Sequence, residues 1–392
     1  DLNTSTVSLE GSGKDLCFEF NEYKVDKANS FFSVNDYILR GEIEGGNFLD
    51  SQVNSSFETY KSGNEYRFQI QGNLEGPFST LTELTFANLR DFTVDGGKHF
   101  TQFEFDSSLS KGISLLKEDS ELRIRTESKR GNLDFHSFGL DLNNIYIKAE
   151  YDSAVGFENG IISFKLNSNP VVLELSEKQT NKGLTSFISK DKIRFQDLLP
   201  QNLQSDIKGI SDAKLELNIS TFQRGLKYIE SPSIDLYSNL KGTEIKISDP
   251  FLKPASEIID LQISFSPFYK DNKSQVKFSY GDLLRGKLHF YKKNIEGFLI
   301  AGKEKQSISV ESGIVSLIGN LEKLDYALFN NLDPRLNDSP INFQVKRLTV
   351  EELNFSNYIF KDNLITSSYK DDLFELHILN NELGGKISIP LT

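Results

Sequence analysis

The amino-acid sequence predicts a mainly β protein, built on one long antiparallel or mixed sheet with one or two short helices. Three observations carry that expectation. Polarity alternates with a period of two along nearly the whole chain, turn-forming pairs recur between the alternating segments, and helical periodicity is confined to two short stretches. The alternation begins at Phe18/Phe20 and is clearest at Tyr66-Arg67-Phe68-Gln69-Ile70, where three apolar side chains share one face and two polar ones the other, as a half-buried strand requires. It continues through Phe103/Phe105, Ile145/Ile147, Ile162/Phe164/Leu166 and Leu215/Leu217/Ile219, and then through Leu261-Gln262-Ile263-Ser264-Phe265. Ile341/Phe343/Val345 and Phe374/Leu376/Ile378 complete the series. Turn signals stand at Gly45-Gly46, Gly63-Asn64, Gly96-Gly97, Asn159-Gly160, Asp271-Asn272 and Gly384-Gly385. Together they divide the chain into about two dozen candidate strands. The helical stretches are Phe195–Leu203, interrupted by Pro200, and Glu322–Asn331.

Composition narrows the function classes. The 392 residues allow two or three ordinary domains or one elongated β-structure. With 44 Lys and Arg against 56 Asp and Glu the net charge is -12, which disfavours nucleic acid, whose binding depends on cations neutralising phosphate. A single cysteine, Cys17, leaves stability to packing and backbone pairing. No apolar run approaches the ~20 residues needed to cross a bilayer, and no signal-peptide pattern is visible. Met and Trp are absent and the chain opens at Asp1, so we expect a processed chain or a segment of a longer one.

No charge run or low-complexity linker marks a domain boundary; the softest joints are Gln179–Gly183 and Pro334–Ser339. A "Gly-x-apolar-x-apolar" unit recurs at Gly160–Phe164, Gly297–Ile300 and Gly385–Ile389. Repeated β units can stack into a quasi-one-dimensional sheet, and a plain meandering antiparallel sheet yields the same pattern.

The region from Ile234 to Phe329 carries a more specific signal. It contains Leu236-Tyr237-Ser238-Asn239-Leu240-Lys241-Gly242, then Ile245-Lys246-Ile247, then Asp249-Pro250-Phe251-Leu252-Lys253-Pro254. Phe278-Ser279-Tyr280-Gly281-Asp282, Gly286-Lys287-Leu288-His289-Phe290 and Gly319-Asn320-Leu321-Glu322-Lys323-Leu324-Asp325-Tyr326 follow in order. This succession resembles the YhdP family of AsmA-like proteins, with its "SDLKG", "PxPLxK", "YGD" and "GxLxxLDxxxW" passages; Phe329 stands where the family often has Trp. The resemblance divides the chain into residues 1–139, a β-rich part of a groove whose start is truncated, and residues 140–392, the AsmA-like segment with its best match at 234–329.

The resemblance implies that the sheet curls into an open, apolar-lined groove for phospholipid acyl chains. About two dozen strands at ~4.8 Å would make it on the order of 100 Å long. It further implies a periplasmic protein of a Gram-negative bacterium, tethered to the inner membrane by an N-terminal helix absent from this sequence. Such a protein reaches the inner and outer membranes through parts outside the chain, conducts or shields phospholipid between them, and supports outer-membrane homeostasis. Extracting a phospholipid into water exposes about thirty methylenes at ~0.8 kcal/mol each, a barrier on the order of 25 kcal/mol that a continuous apolar floor removes. The floor candidates are Phe68, Ile70, Phe103, Phe105, Ile162, Phe164, Leu166, Leu215, Leu217, Ile263, Phe265, Phe278, Tyr280, Leu288, Phe290, Phe343, Val345, Leu376 and Ile378. Each of these positions, and the 31 phenylalanines as a set, suits an ordinary core as well as a lipid floor.

Catalytic signals are weak, and we expect no enzyme, no cofactor and no metal. His99, His136, His289 and His377 stand far apart and outside metal-binding spacings. His289 and His377 alternate with apolar neighbours, which places them on the solvent face of strands. The acidic clusters at Glu118–Glu121 and Lys370–Asp372 lack calcium-loop spacing. Two other readings stay open: a structural or adhesive β-protein of the cell envelope, and a polysaccharide-active β-solenoid, which the lack of Trp and dispersed carboxylates disfavour.

Overall fold

The computed structural model describes residues 8–20, 23–36, 38–81, 93–111, 119–135, 140–176, 184–199, 204–220, 232–269, 273–291, 294–304, 309–326, 335–336, 339–340, 342–355, 358–370, 373–381 and 384–390. The protein is mainly β, as the alternation predicts, and separates into two compact units. Unit 1 comprises residues 1–136, 140–188 and 218–230; unit 2 comprises residues 137–139, 189–217 and 231–392.

The strands of the first part are β1 (Ser8–Phe20), β2 (Tyr23–Asn35), β3 (Ile38–Phe48), β4 (Ser51–Ser62), β5 (Glu65–Pro77), β6 (Thr93–Asp95), β7 (Lys98–Ser108), β8 (Glu121–Phe135), β9 (Leu140–Asp152), β10 (Gly156–Leu166), β11 (Asn169–Leu175) and β12 (Leu184–Ile193). From β1 to β5 each strand pairs antiparallel with the next, because the turns between them are too short for anything but a hairpin. The meander goes on from β5 to β7, with β6 set beside β8, and then in sequence from β7 to β12.

The remaining strands are β13 (Ile207–Gly209), β14 (Ser211–Ser220), β15 (Ser233–Ser238), β16 (Thr243–Ile245), β17 (Leu261–Tyr269), β18 (Lys273–Tyr280), β19 (Leu284–Tyr291), β20 (Asn294–Ala301), β21 (Ile314–Asp325), β22 (Arg335–Leu336), β23 (Ser339–Pro340), β24 (Asn342–Phe355), β25 (Tyr358–Lys370), β26 (Leu373–Leu379) and β27 (Gly384–Pro390). In unit 2, β15, β17, β18, β19 and β20 form an antiparallel run. Two parallel pairings follow, β20 with β21 and β21 with β24, and the sheet then returns to antiparallel order through β27. The sheet is thus mixed, and no pairing among the described residues closes it into a barrel.

Several local expectations need correction. Gly45-Gly46, Asn159-Gly160 and Gly384-Gly385 lie inside β3, β10 and β27 instead of in turns. At the first, glycine serves a register shift between Ile43 and Gly46, whereas at the second the shift between Phe157 and Asn159 falls at Glu158 and Gly160 pairs regularly with Ala149. Gly160 also leaves room for a ring, since a Cβ there would lie 2.4 Å from Cε1 of Phe187. Gly63-Asn64 and Gly96-Gly97 do separate strands, and Asp271-Asn272 lies outside the described residues.

Glu322–Asp325 belongs to β21 and not to a helix. Leu321 and Leu324 are buried while Glu322 and Lys323 between them are exposed, so an irregular strand mimics helical spacing. Phe195–Leu198 is a single 3-10 turn, closed by bonds from the Asp197 amide to the Arg194 carbonyl and from the Leu199 amide to the Gln196 carbonyl. Residues 200–203 and 327–331, and the joint Gln179–Gly183, lie outside the described residues.

Candidate functional site

Directly opposed residues in antiparallel strands share a face, so the register of unit 1 can be walked from strand to strand. One walk across β1, β2, β3, β4, β5, β7 and β8 meets Gly11, Phe32, Gly41, Phe57, Ile70, Phe105 and Leu122. The adjacent row, one residue away on each strand, meets Glu10, Ser33, Arg40, Glu58, Gln69, Asp106 and Glu121. The first row is therefore apolar across seven strands and the second wholly polar, although Phe31 and Phe100 also stand on the second row's face. Six inter-strand spacings of ~4.8 Å give the apolar row a length of about 29 Å.

The glycines of that row are part of its construction. A Cβ at Gly41 would lie 2.4 Å from Cζ of Phe57, the residue opposite it, so the ring occupies the place a larger side chain would need. The polar face is held by ion pairs such as Arg40 with Glu58 at 3.2 Å and Arg123 with Asp152 at 3.0 Å. A cavity of about 510 Å³ opens around Phe31, which is 54% exposed. Its lining combines Glu10, Arg40, Glu42 and Glu58 with Phe31, Phe32 and Phe57.

The register places every predicted floor residue of unit 1 on the apolar face. Phe68 stands opposite Ser107, Ile70 opposite Phe105, and Phe103 opposite both Gly72 and Ile124. Ile162 opposes Ile147 and Leu173, Phe164 opposes Val171, and Leu166 opposes Asn169. Phe68, Ile70, Phe103, Ile162, Phe164 and Leu166 are half-buried, whereas Phe105 is buried at 6% exposure.

Unit 2 divides its candidates differently. Leu215 is buried and Leu217 half-buried, two residues apart on β14. Ile263, Phe265, Phe278 and Leu288 are half-buried on one face of β17, β18 and β19, with Ile263 opposite Phe278. Tyr280 and Phe290, on the same face, are buried. Val345 and Leu376 sit in a packed core with Leu321, Leu324, Leu348, Val350, Leu353, Ile365 and Phe374, and Phe343 and Ile378 pack against it. In that core the apolar face is filled by the protein itself.

A polar corner interrupts the apolar face of unit 1. His99 is buried opposite Gly76 and Ser128. The Ser51 hydroxyl donates to Thr80 at 2.9 Å, so His99 Nε2, 3.0 Å away, is the donor to Ser51. Nδ1 then accepts from Thr101 at 3.1 Å, and Thr126 donates to Thr101 at 2.8 Å. The neutral imidazole satisfies this chain of bonds, and burial holds its pKa below the usual value against the pull of Glu75. A serine beside a histidine suggests a nucleophile, but both side chains are about 2% exposed or less. His289 and His377 lie on the polar face, bonded to Gln275 at 3.1 Å and Ser368 at 2.9 Å; His136 lies outside the described residues. Among the described residues no group of three or more His, Cys, Asp or Glu is placed to hold a metal ion, and no helix is long and apolar enough to cross a membrane.

The passages that carry the family resemblance converge in unit 2. Lys253 is fully buried and its ammonium donates to the carbonyls of Leu240 at 2.7 Å, Thr243 at 2.8 Å and Pro254 at 3.2 Å. The lysine of one passage thereby fastens the Leu240-Lys241-Gly242 turn of another, and burial holds its pKa below the usual range. The Phe251 and Tyr280 rings stand 6.1 Å apart, and the Asp325 amide donates to the Asp249 carbonyl at 3.1 Å. The Tyr280 hydroxyl is buried without a hydrogen-bond partner among the described residues, and burial pushes its pKa up to about 12. These residues lock a loop to a sheet end, and the roles of Lys253 and of the His99 corner were not foreseen from the sequence. The signal for the first was a charged residue set between two prolines and apolar neighbours.

Neither the curated proteins nor the solved structures contain a match to the chain. The family model described as YhdP protein matches residues 104–392, starting upstream of Leu140, and the chain belongs to the YhdP family.

Proposed function

We propose that the protein carries phospholipid acyl chains along the half-open apolar face and acts as a non-enzymatic conduit or shield between the inner and outer membranes. The observation that supports this reading is the paired rows of unit 1. Seven strands present Phe, Ile, Leu and Gly on one face, while the neighbouring residues of the same strands are all polar. A row of about 29 Å is about twice the ~15 Å that one acyl chain spans in a leaflet, half of the ~30 Å hydrocarbon core, so an acyl chain lies along it without meeting a polar gap. Half-buried rings at Phe57 and Phe68 retain surface that a fatty chain can cover. Membership of the YhdP family, which is envelope-associated, supports a periplasmic setting.

The floor is drawn more narrowly than alternation alone draws it. It keeps Phe68, Ile70, Phe103, Ile162, Phe164 and Leu166 in unit 1 and adds Phe57 from the same face, with Ile263, Phe265, Phe278 and Leu288 as the corresponding set in unit 2. Val345 and Leu376 serve the core.

The test is site-specific photo-crosslinking in cells followed by lipid analysis, with the photoreactive residue at Phe57, Phe68, Arg40 or Leu376. Phospholipid adducts at Phe57 and Phe68, with none at Arg40 or Leu376, are expected. Equal labelling at Arg40, or purified protein free of lipid by native mass spectrometry, overturns the proposal.

A further inference from the structure

The ends of β24 and β25 in unit 2 expose apolar side chains where a hairpin in water is ordinarily polar. Tyr358 is 69% exposed, Ile359 61% and Phe355 38%. Phe355 pairs with Tyr358 on one face, while Asn354 pairs with Ile359 on the other. The described residues at these strand ends are therefore apolar on both faces, which the covering of a single core does not explain. It is also well supported: the Tyr326 ring packs 4.3 Å from that of Phe355, and the Tyr326 amide donates to the Asn354 carbonyl at 2.8 Å.

Charge is arranged around this tip in a definite order. The stretch from Leu353 to Phe360 contains no charged residue. Behind it stand Asp325, Glu351, Glu352 and Asp362 with Lys323 and Lys361, and Glu352 faces Lys361 across the strands. This surround is acidic on balance. A second copy of a chain with net charge -12 meets like charge there, and so does an anionic membrane. A flat protein partner covers only one face of a hairpin, whereas the interfacial zone of a bilayer surrounds a tip on both. Tyrosine suits the headgroup level, with an apolar ring and a polar end.

We propose that this tip inserts into the interface of a zwitterionic bilayer and docks unit 2 on a membrane surface. Phe355, Tyr358 and Ile359 enter the headgroup and upper acyl region, while the acidic surround stays in water. The proposal does not depend on the apolar face of unit 1 carrying lipid.

The absence of Trp from the chain makes the test direct, because one introduced indole reports alone. Tyr358→Trp in the full chain is mixed with phosphatidylcholine vesicles, with and without phosphatidylglycerol, beside a Phe31→Trp control. A blue shift is expected for Tyr358→Trp alone, weaker with phosphatidylglycerol present. Vesicle flotation of a Tyr358→Ser/Ile359→Ser variant should fall at least ~tenfold, with melting unchanged because both side chains are exposed. No shift at position 358, an equal shift at position 31, or undiminished flotation overturns the proposal. So does a wild-type dimer in light scattering that the double variant abolishes, since it assigns the tip to a second copy. Substituting Phe57 and Phe68 by serine should remove lipid cargo and leave the shift at position 358 intact, which separates this proposal from the conduit.

Discussion

The rows across β1 to β8 and the strands β21, β24, β25 and β26 are rich in the same aliphatic and aromatic residues, yet they end in different physical states. Phe32, Phe57 and Ile70 in the first are half-buried, while Ile365, Leu376, Val350 and Leu353 in the second are at most 1% exposed. Pairing explains part of the contrast. β4 is antiparallel on both sides and alternates buried with exposed residues through its first half. β21 is parallel on both sides and buries Val315 with Ser316 and Ile318 with Gly319, so both its faces are covered, as is usual for parallel strands. Alternation thus identifies a greasy face; whether protein fills it depends on long-range pairing.

The largest separation between the two regions is expected from truncating their side chains. Leu376→Ala should cost about 2 to 5 kcal/mol, because it empties a site enclosed by Phe374, Ile365 and Val345. Phe57→Ala should cost about 1 kcal/mol or less, since the half-buried ring keeps part of its surface in water in the folded state. Urea denaturation with a probe in each unit measures both. Equal losses would break the comparison and would mean that the face of unit 1 is filled as well.

Next in size is Lys253→Met, which keeps the stem and removes the ammonium that bridges Leu240, Thr243 and Pro254. Leaving buried carbonyls unsatisfied costs about 1 to 3 kcal/mol each, offset by relief of a desolvated charge, so a net loss of about 3 kcal/mol is expected. Hydrogen exchange should report it as faster opening of residues 239–254 and not of the rows in unit 1. Exchange that quickens equally in both units would show that the two regions are coupled.

Gly41→Val is expected to cost about 1 to 3 kcal/mol, because a methyl-sized atom cannot coexist with the Phe57 ring at 2.4 Å. The same change displaces the ring and so disturbs the proposed acyl floor. Combining it with Phe57→Ala should recover only part of the stability, because the Phe31 carbonyl oxygen also stands 2.6 Å from that Cβ, and should not recover lipid binding, as measured by melting and lipid extraction. If the pair is no more stable than Gly41→Val alone, the ring is not what limits residue 41.

How far the sequence could be read follows from where each signal resides. Tyr66–Ile70 and Phe103/Phe105 announced strands and their apolar face, because a period of two is written in consecutive residues. That Ile70 meets Phe105 and Phe57 was not legible, since register is decided between segments dozens of residues apart. Gly45-Gly46 and Asn159-Gly160 read as turns because glycine signals a bulge or a close approach as readily as a turn. Leu321 and Leu324 read as a helical face because an irregular strand placed two exposed residues between them. Lys253 could be singled out as a motif residue, but its task depends on carbonyls 10 and 13 residues away, which local polarity cannot reveal.

The smallest effect, and the one that sharpens the comparison furthest, concerns pH. His99 lies on the apolar face with Ser51, Thr80, Thr101 and Ser128 around it and Glu75 as the nearby charge, and burial lowers its pKa below the ordinary 6.5. The unfolded chain then binds a proton that the folded chain refuses. Its stabilising contribution is complete above about pH 6.5 and is lost as the pH falls toward the lowered folded value. His289 in unit 2 is also lowered, by burial first and then by Lys287, Lys273 and Lys277, with Glu296 alone opposing them. Denaturation of unit 1 should therefore steepen between about pH 7 and pH 5.5, and His99→Gln should flatten that slope while leaving the pH response of unit 2 unchanged. A slope unchanged by His99→Gln would place the acid sensitivity among the carboxylate pairs of the polar face instead. The corner at His99 would then be a passive break in the apolar floor, and the open face of unit 1 would owe its stability to the ion-paired side alone.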